Sequence, residues 1–383
     1  MNKKELIEFF YINLNTFSIK PIIMSNLFSN EKVNTGRQVE LDIAKALSII
    51  FMIFLHSLMV IKGFNYSLSP AYDFIFSNVL GRPFAAPIFM FCMGVGVVYS
   101  RHSQWDTMIK RGVKLYLMGV LVNVFEFFLP GFVCGTLLGR WDVFPMAGGL
   151  LLFCVDILAF AGMAFILMGI LKKFELSNKW LIVIAVVMSI IGTLLRGTDL
   201  GMPALNLIAG HFIGAAGGFA AFPLLPWFIF PIAGFVWGQY FIRAKDKGQF
   251  FKLWPLFIII AVAYFYLTMS NGVFSSDVHL YYFMTTLDAL FCIICAHGVI
   301  GLGYWVAKFL PDAITKAFST LSSNITNIYI AQWFFIPLGV IFISYFFKSL
   351  VFTDLVSTIY AIIMLVISTL VAVYYKKFQK SRA

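Results

Sequence analysis

The chain has 383 residues, of which 61% are hydrophobic and only 12% are charged. Apolar runs of about 20 residues recur along it, which indicates an all-α polytopic membrane protein and excludes a soluble globular enzyme. The net charge of +11 would favour nucleic-acid binding in a soluble protein. In a membrane protein the basic residues report topology instead, so we expect no nucleic-acid partner.

The N-terminal 36 residues contain no uninterrupted apolar core of the signal-peptide type. Aromatic residues among scattered charges there indicate a cytoplasmic tail or an interfacial helix over residues 1–36. Residues 37–376 are predicted to form the transmembrane domain. A basic cytoplasmic tail is expected over residues 377–383.

The first long apolar stretch, residues 41–61, carries Asp42 and Lys45 at its start and His56 near its far end. Lys45 and His56 lie on one helix face, separated by almost three turns or roughly 16 Å. Asp42 precedes Lys45 by three residues and is predicted to pair with it. A charged group inside a span is costly and therefore suggests function, so this stripe is the candidate site.

Apolar stretches and their breakers predict ten spans, at residues 43–61, 83–100, 114–130, 148–171, 180–195, 223–242, 253–269, 280–306, 324–347 and 354–375. Lys and Arg cluster in alternate loops, which places both termini in the cytoplasm of a multi-pass cell-membrane protein. Residues 179 and 243 both belong to cytoplasmic clusters, so an even number of crossings joins them. The glycine-rich segment 201–221 is therefore predicted to be re-entrant or to lie at the outer surface.

Five more ionisable residues lie in or near the predicted spans: Glu126, Asp156, Asp288, His211 and His279. Their similar depth predicts one polar pocket that opens to the outside and includes His56. The alternative is that each carboxylate makes a private hydrogen bond between helices.

The pair Cys292 and Cys295 has the CxxC spacing of some metal and redox sites. It lies in the apolar run LFCIICAHG without a second pair, which favours helix packing. We therefore expect no metal ion.

The segment LDIAKALSIIFMIFLH at 41–56 resembles the opening helix of the transmembrane acyltransferase superfamily. This superfamily includes bacterial acyltransferase family 3 and the catalytic region of heparan-α-glucosaminide N-acetyltransferase. Family 3 carries Arg or Lys, ten residues and then His, which Lys45 and His56 match. Similar segments follow in order: GRPFAAPIFMFCMGVGVVYSR at 81–101, IKRGVKLYL at 109–117, FCVDILAFAGMAFIL at 153–167 and FPLLPWFIFPIAGFVWGQ at 222–239.

The likeness covers most of residues 37–243 and departs from the family at two places. The N-acetyltransferase branch has its catalytic His in an outer loop after the first helix, and residues 57–80 contain no His. That departure makes His56 the candidate. In a later helix that often ends in His, Gln332 stands at the corresponding position.

The resemblance implies acyl transfer, usually of acetyl, from cytoplasmic acetyl-CoA or another acyl-CoA to a carbohydrate or similar acceptor outside. His56 would be the general base, and Glu126, Asp156 or Asp288 would orient it. A covalent acetyl-His intermediate is the other route. Residues His211 and His279 are the candidates for acceptor binding.

The phosphates of the CoA thioester need cations, which Lys110, Arg111 and Lys114 would supply at the cytoplasmic mouth with Lys45 just inside. The alternative role of the first three is to set topology and contact lipid headgroups. The acceptor would be an outer glycan or a lipid-linked molecule. Membrane lipids are further partners, and a homodimer is compatible with the sequence.

The rival class is a transporter or flippase without acyl-transfer chemistry. Intramembrane charges, ten spans and the broken segment at 201–221 suit that class. Against the transporter class, the sequence contains no inverted repeat and no matched pair of broken helices. A sensory or scaffold protein is a third class, and it predicts that His56 can be replaced without effect.

Overall fold

The computed structural model describes residues 27–144, 151–217, 220–275 and 277–382. The predicted interfacial helix or tail therefore lies mostly outside the described residues. In the described part, the helices are α1 Val39–Ile61, α2 Pro70–Tyr99, α3 Trp105–Leu138, α4 Ile157–Lys173, α5 Asn178–Leu195, α6 Pro203–Ile213, α7 Leu224–Phe241, α8 Lys247–Thr268, α9 Val278–Tyr282, α10 Thr286–Val306, α11 Asp312–Phe346 and α12 Asp354–Arg382. Two short strands, β1 Tyr66–Ser67 and β2 Phe352–Thr353, pair in parallel.

Nine of the described helices are long and apolar enough to cross a bilayer: α1, α2, α3, α5, α7, α8, α10, α11 and α12. They coincide with nine of the ten predicted spans, and the all-α polytopic membrane fold is confirmed. The exception is the predicted span at 148–171. Its helix, α4, begins only at Ile157 and has 17 residues.

Helix α4 begins late because the backbone before it is engaged in other contacts. The Val155 carbonyl oxygen accepts hydrogen bonds from the amides of Ala221 and Phe222, at 3.0 Å each. From Ile157 onward α4 packs closely against α3. A Cβ atom added at Gly162 would lie 2.5 Å from the Tyr116 backbone nitrogen, so only glycine permits this approach.

Helix α6 has 11 residues and is too short to cross a bilayer, as predicted for the segment at 201–221. Asn206 ties it to the preceding turn. Its amide nitrogen donates to Asp199 Oδ1 at 2.7 Å, and its amide oxygen accepts from the Leu200 backbone at 2.8 Å. At the other end of α6, the Gly197 amide donates to the Gly214 carbonyl at 2.9 Å.

Helix α1 lies at the centre of the bundle, in contact with α2, α10, α11 and α12. Ile49, Ile53 and Ile61 have no accessible surface. Ser48 is buried too, and its hydroxyl donates to the carbonyls of Ala44 and Phe84 at 3.0 and 2.9 Å. The polar residues of α1 are therefore held inside the protein rather than turned to lipid.

Two of the spanning helices contain a π-helical turn, α2 at Ile75–Gly81 and α3 at Val124–Phe128. Such turns insert an extra residue into a helix and often occur at functional sites. Pro130 follows the second turn, and proline removes a backbone donor and displaces the preceding turn. This irregular stretch of α3 carries Glu126.

Candidate active site

His56 lies in the C-terminal half of α1, against an aromatic wall supplied by α11. Its imidazole stacks on the indole of Trp333, with the ring centroids 4.2 Å apart and the planes inclined by 27°. Tyr329 approaches the same imidazole edge-on, with a centroid distance of 6.5 Å. Both aromatic side chains are buried, whereas His56 keeps some accessible surface within the bundle.

Tyr329 connects the histidine to the acidic residues. Its hydroxyl donates a hydrogen bond to Asp156 Oδ2, and Asp156 in turn interacts electrostatically with Glu126. The structure thus brings His56, Asp156 and Glu126 together around Tyr329 and Trp333. We call His56, Glu126, Asp156, Tyr329, Gln332 and Trp333 the His56 chamber.

The chamber contains several buried polar atoms that have no hydrogen-bond partner among the described residues. They are His56 Nδ1, Glu126 Oε2, Trp333 Nε1 and both amide atoms of Gln332. The Gln332 amide lies beside the imidazole and the Trp333 indole lies near Asp156, but neither reaches hydrogen-bond geometry. Unpaired buried polar groups cost about 1–3 kcal/mol each, so their clustering makes this region the candidate for binding a polar ligand.

The two acidic residues occupy interruptions of regular helix. Glu126 lies in the π-helical turn of α3, and Asp156 immediately precedes α4. Asn123 is 1% exposed. Its side-chain amide donates hydrogen bonds to the backbone carbonyls of Leu152 and Cys154, at 2.8 and 2.9 Å, in the irregular segment before α4. Irregular backbone at membrane depth is tolerated where protein groups meet its polar atoms in this way.

The short helix α9 is fixed to α7 and α2. The Tyr282 carbonyl accepts a hydrogen bond from Trp227 Nε1 at 2.8 Å. Arg82 is buried in α2 and holds this segment: its guanidinium donates to the Ser275 carbonyl. The Tyr281 hydroxyl donates to the Arg82 carbonyl at 2.8 Å.

Sequence reasoning missed Arg82, Tyr282, Tyr329 and Trp333. The alternation of Lys and Arg clusters along the sequence predicts Arg82 in one of the loops with few basic residues, whereas the structure buries it in α2. The aromatic residues carry no distinguishing signal, since aromatic side chains make up 18% of the chain. Only Gln332 was marked in advance, by its place in the resemblance.

Three predicted site residues are not in the chamber. Asp288 caps α10 by accepting from the Thr285 amide and hydroxyl at 2.7 and 2.6 Å, and it also accepts from the Tyr264 hydroxyl. Asp288 therefore has its own hydrogen-bond partners, as the alternative to a shared polar pocket predicts. His211 lies on α6, where Nδ1 donates to the Leu207 carbonyl at 2.8 Å. His279 is exposed on α9, so the expected convergence of all five ionisable residues is wrong.

The N-terminal end of α1 borders a cavity of about 260 Å³ that is lined by Lys45, Arg37, Asp42, Tyr99 and Ser322 among others. We call it the inner pocket. The predicted pairing of Asp42 with Lys45 is wrong. Asp42 instead forms an ion pair with Arg37 and accepts from the Ser322 hydroxyl at 2.6 Å. Lys45 consequently has no hydrogen bond or ion pair with any described residue.

The inner pocket shares Arg37 and Ser323 with a neighbouring cavity of about 340 Å³. This neighbour is lined by three further cations, Lys316, Lys376 and Lys377. Two of them extend from α12, because that helix continues through the stretch predicted to begin a basic tail. Arg37, Lys316, Lys376 and Lys377 thus border the two cavities beside Lys45.

Lys110, Arg111 and Lys114 do not line either cavity. All three lie on the exposed side of α3. The Lys110 ammonium is 3.9 Å from Asp106, and the Arg111 guanidinium lies 4.7 Å from the centre of the Phe165 ring. The structure does not bring this basic cluster together with Lys45.

A family model described as "Heparan-alpha-glucosaminide N-acetyltransferase, catalytic" matches residues 37–270. No curated protein matches the chain, and no solved structure matches it. The matched segment contains His56, Glu126 and Asp156. The aromatic wall formed by Tyr329 and Trp333 lies beyond it.

Proposed function

The chain belongs to the family of heparan-alpha-glucosaminide N-acetyltransferase catalytic domains, and we propose that it carries an acetyl group from cytoplasmic acyl-CoA to an acceptor outside. Membership makes the protein a membrane acetyltransferase of this type. The acceptor offers a hydroxyl or an amine, and the membrane is the cell membrane with both termini in the cytoplasm. The observation that carries the proposal is the cluster of unpartnered polar atoms around His56.

His56 acts as the general base. The acceptor oxygen or nitrogen forms a bond to the thioester carbonyl carbon while the imidazole takes its proton. Collapse of the tetrahedral intermediate breaks the carbon–sulfur bond, and the proton passes from the imidazolium to the departing CoA thiolate. A covalent acetyl-His intermediate is the alternative route, in which the imidazole itself attacks the thioester.

The surroundings of His56 suit a histidine that becomes charged during the reaction. The indole face of Trp333 attracts a cation by about 0.5–2 kcal/mol. Stacking also limits rotation of the imidazole, which fixes the direction in which the proton is transferred.

The donor enters from the cytoplasm through the inner pocket. Phosphates need cations, and Arg37, Lys316, Lys376 and Lys377 border the two cavities that meet there. Lys45 lies deeper, and the rise of α1 puts it roughly 16 Å from His56. An extended phosphopantetheine arm is of comparable length, so the nucleotide stays in the cytoplasm while the thioester reaches the chamber.

The test is acetyl transfer from labelled acetyl-CoA by the purified full chain, with release of the CoA thiol as a second readout. His56→Ala should lower turnover by at least about 100-fold, since a general base contributes about 10²- to 10⁴-fold. His102→Ala is the matched control because that histidine is exposed and lies outside the chamber. Full turnover by folded His56→Ala protein would remove His56 as the base.

Transport without chemistry is the second candidate function, and two observations favour it: α6 does not cross, and α4 begins inside the bundle. Titration with CoA separates the two functions. The acetyltransferase should gain thermal stability with CoA, and Lys45→Ala should reduce that gain. A transporter of sugars or ions should not respond to CoA.

A further inference from the structure

Gln332 lies on the face of α11 that contacts His56. Tyr329 precedes it by three residues and Trp333 follows it directly, and both aromatic rings contact the imidazole. Residues three or four apart on a helix share one face, so Gln332 belongs to the same surface of α11. It has no accessible surface, and its amide lies beside the imidazole. Helix geometry therefore brings a buried primary amide to the candidate base.

The imidazole and the amide carry complementary polar atoms without partners. His56 Nδ1 and both amide atoms of Gln332 are buried and have no hydrogen-bond partner among the described residues. A neutral imidazole has one N–H donor, and the amide oxygen Oε1 is an acceptor. Buried polar atoms without partners cost about 1–3 kcal/mol each. Rotation of the Gln332 amide about its side-chain bonds lets Oε1 accept from Nδ1 and removes two of these costs at once.

The acidic residues of the predicted site are engaged elsewhere or lack partners. Asp156 accepts from the Tyr329 hydroxyl, and Asp288 belongs to the cap of α10. Glu126 Oε2 is itself without a partner in the described part of the chain. Within the described ranges, none of these three carboxylates forms a hydrogen bond or an ion pair with the imidazole. Gln332 is therefore the candidate partner of Nδ1.

The two ring nitrogens of His56 have different surroundings. Nδ1 is fully buried, whereas the residue as a whole keeps some accessible surface, so Nε2 is the nitrogen that an acceptor can approach. A general base presents an unprotonated nitrogen to its substrate. The proton of the neutral ring then belongs on Nδ1, and a hydrogen bond at that nitrogen selects this tautomer.

We infer that Gln332 is the positioning residue of His56: its amide oxygen accepts the Nδ1 proton and so presents Nε2 as the base to the hydroxyl or amine of the acceptor. The inference rests on the proposed function and deepens it, because it identifies the group that orients the base. Stacking on Trp333 limits rotation of the ring, and the bond to Gln332 selects which nitrogen carries the proton. During transfer Nε2 gains the acceptor proton, while Nδ1 keeps its own proton and the amide is unchanged.

The test combines the rate of acetyl transfer with the position of the imidazole proton. The purified full chain carries histidine labelled with ¹⁵N at Nδ1 and is reconstituted in lipid bilayers. Nuclear magnetic resonance at a pH of about 8, where histidine is ordinarily neutral, reports whether Nδ1 carries a proton. The His56 signal is the one that disappears in His56→Ala.

Three variants separate the acceptor oxygen from the rest of the side chain. Gln332→Met keeps the length of the side chain and removes the oxygen, whereas Gln332→Glu keeps an oxygen there. Gln239→Met on α7 is the matched control, because Gln239 Oε1 accepts from the Asn178 side chain at 3.3 Å and lies outside the chamber. Gln332→Leu covers the case in which Gln332→Met fails to fold.

We expect Nδ1 of His56 to be protonated in wild type, Gln239→Met and Gln332→Glu, and to lose its proton to Nε2 in Gln332→Met. The kcat of Gln332→Met should fall at least about tenfold, since the wrong tautomer costs a serine-protease triad about 10⁴-fold. The KM for acetyl-CoA should stay unchanged. Gln332→Glu should retain most of the rate.

An unprotonated Nδ1 in wild type, or the same proton position in wild type and Gln332→Met, would overturn the inference and leave His56-dependent transfer intact. A loss of rate without a change in proton position also overturns it, because Gln332 then acts in another way. If wild type shows no transfer that depends on His56, the proposed function fails and the inference fails with it, whatever the position of the proton.

Discussion

The imidazole of His56 lies against the indole of Trp333 with the ring centroids 4.2 Å apart. The two residues belong to α1 and α11, which run side by side from the inner pocket to the chamber. At the inner end the same two helices meet where Asp42 accepts from the Ser322 hydroxyl at 2.6 Å. Contacts between one pair of helices thus border both the inner pocket and the His56 chamber.

Removing the stacked indole should slow transfer without unfolding the protein. Trp333→Leu loses the aromatic face that holds the imidazole and stabilises its charged form by about 0.5–2 kcal/mol, which corresponds to roughly 2- to 30-fold in kcat. Trp333→Phe retains a ring and should keep most of the rate. Trp180→Phe, at a residue 61% exposed on α5, is the control. Equal rates in Trp333→Leu and wild type would show that stacking has no catalytic role.

The Tyr329 hydroxyl should matter through Asp156. Tyr329→Phe leaves the ring in place but removes the donor to Asp156, and we expect kcat to fall about tenfold. Asp156→Asn should lower kcat further. Since both act on one hydrogen bond, the double variant should lose less than the sum of the single effects in free energy. If the two free-energy effects simply add in the double variant, Tyr329 and Asp156 act independently.

Substitutions in the two basic regions, the cations beside the inner pocket and the cluster on α3, should affect the affinity for acetyl-CoA differently. Lys45→Ala and Lys316→Ala should each raise the KM for acetyl-CoA about tenfold, because hydrogen bonds to charged groups contribute about 1.5–3 kcal/mol. Lys110→Ala should leave it unchanged, since Lys110 lies on the exposed side of α3. The reverse pattern would assign CoA binding to the cluster of Lys110, Arg111 and Lys114, as the sequence predicts.

The attachment of α6 should weaken in acid. Hydrogen bonds from the Asn206 side chain and the Gly201 amide lower the pKa of Asp199 below its ordinary value of 3.8. A carboxylate whose pKa is lower in the folded than in the unfolded state stabilises the fold above its ordinary pKa. That contribution disappears as the pH falls through the lowered pKa. The hydrogen-exchange protection factors of residues 203–213, which correct for the intrinsic exchange rate at each pH, should therefore fall in acid for wild type, and Asp199→Asn should remove that dependence.

The orientation of α6 can be tested with a membrane-impermeant thiol reagent. Leu205→Cys should be labelled from outside, because α6 is tethered to the outer end of α5 in the topology we propose. Lys179→Cys, at the opposite end of α5, should be labelled only from the cytoplasm. Labelling of residue 205 from the cytoplasm would contradict the proposed topology.

Periodicity and hydropathy were sufficient to predict nine of the spans and the short α6, because membrane thickness imposes the length of each helix. The start of α4 was missed because it depends on hydrogen bonds from Asn123, Ala221 and Phe222, which are distant in sequence or lie in another element. Local spacing likewise suggested that Asp42 pairs with Lys45. The actual partners, Arg37 and Ser322, depend on the path of the chain before α1 and on the docking of α11.

The candidate site was predictable only where one helix carries it. The stripe from Lys45 to His56 follows from helix geometry alone, and the resemblance supported it. Asp156 and Asp288 could not be told apart from sequence, since both are single carboxylates in apolar surroundings. Their roles differ because Thr285 precedes Asp288 and forms a capping box with it, whereas Asp156 is reached by Tyr329 from another helix.

The aromatic wall of the chamber has a consequence for chimeric proteins. His56, Glu126 and Asp156 lie within the segment shared with the family, but Tyr329 and Trp333 lie after residue 270, where that match ends. Exchanging the C-terminal third between two members would therefore keep His56 and replace the aromatic surface against which it packs. Such hybrids would reveal whether acceptor preference is inherited with the first part of the chain or the last.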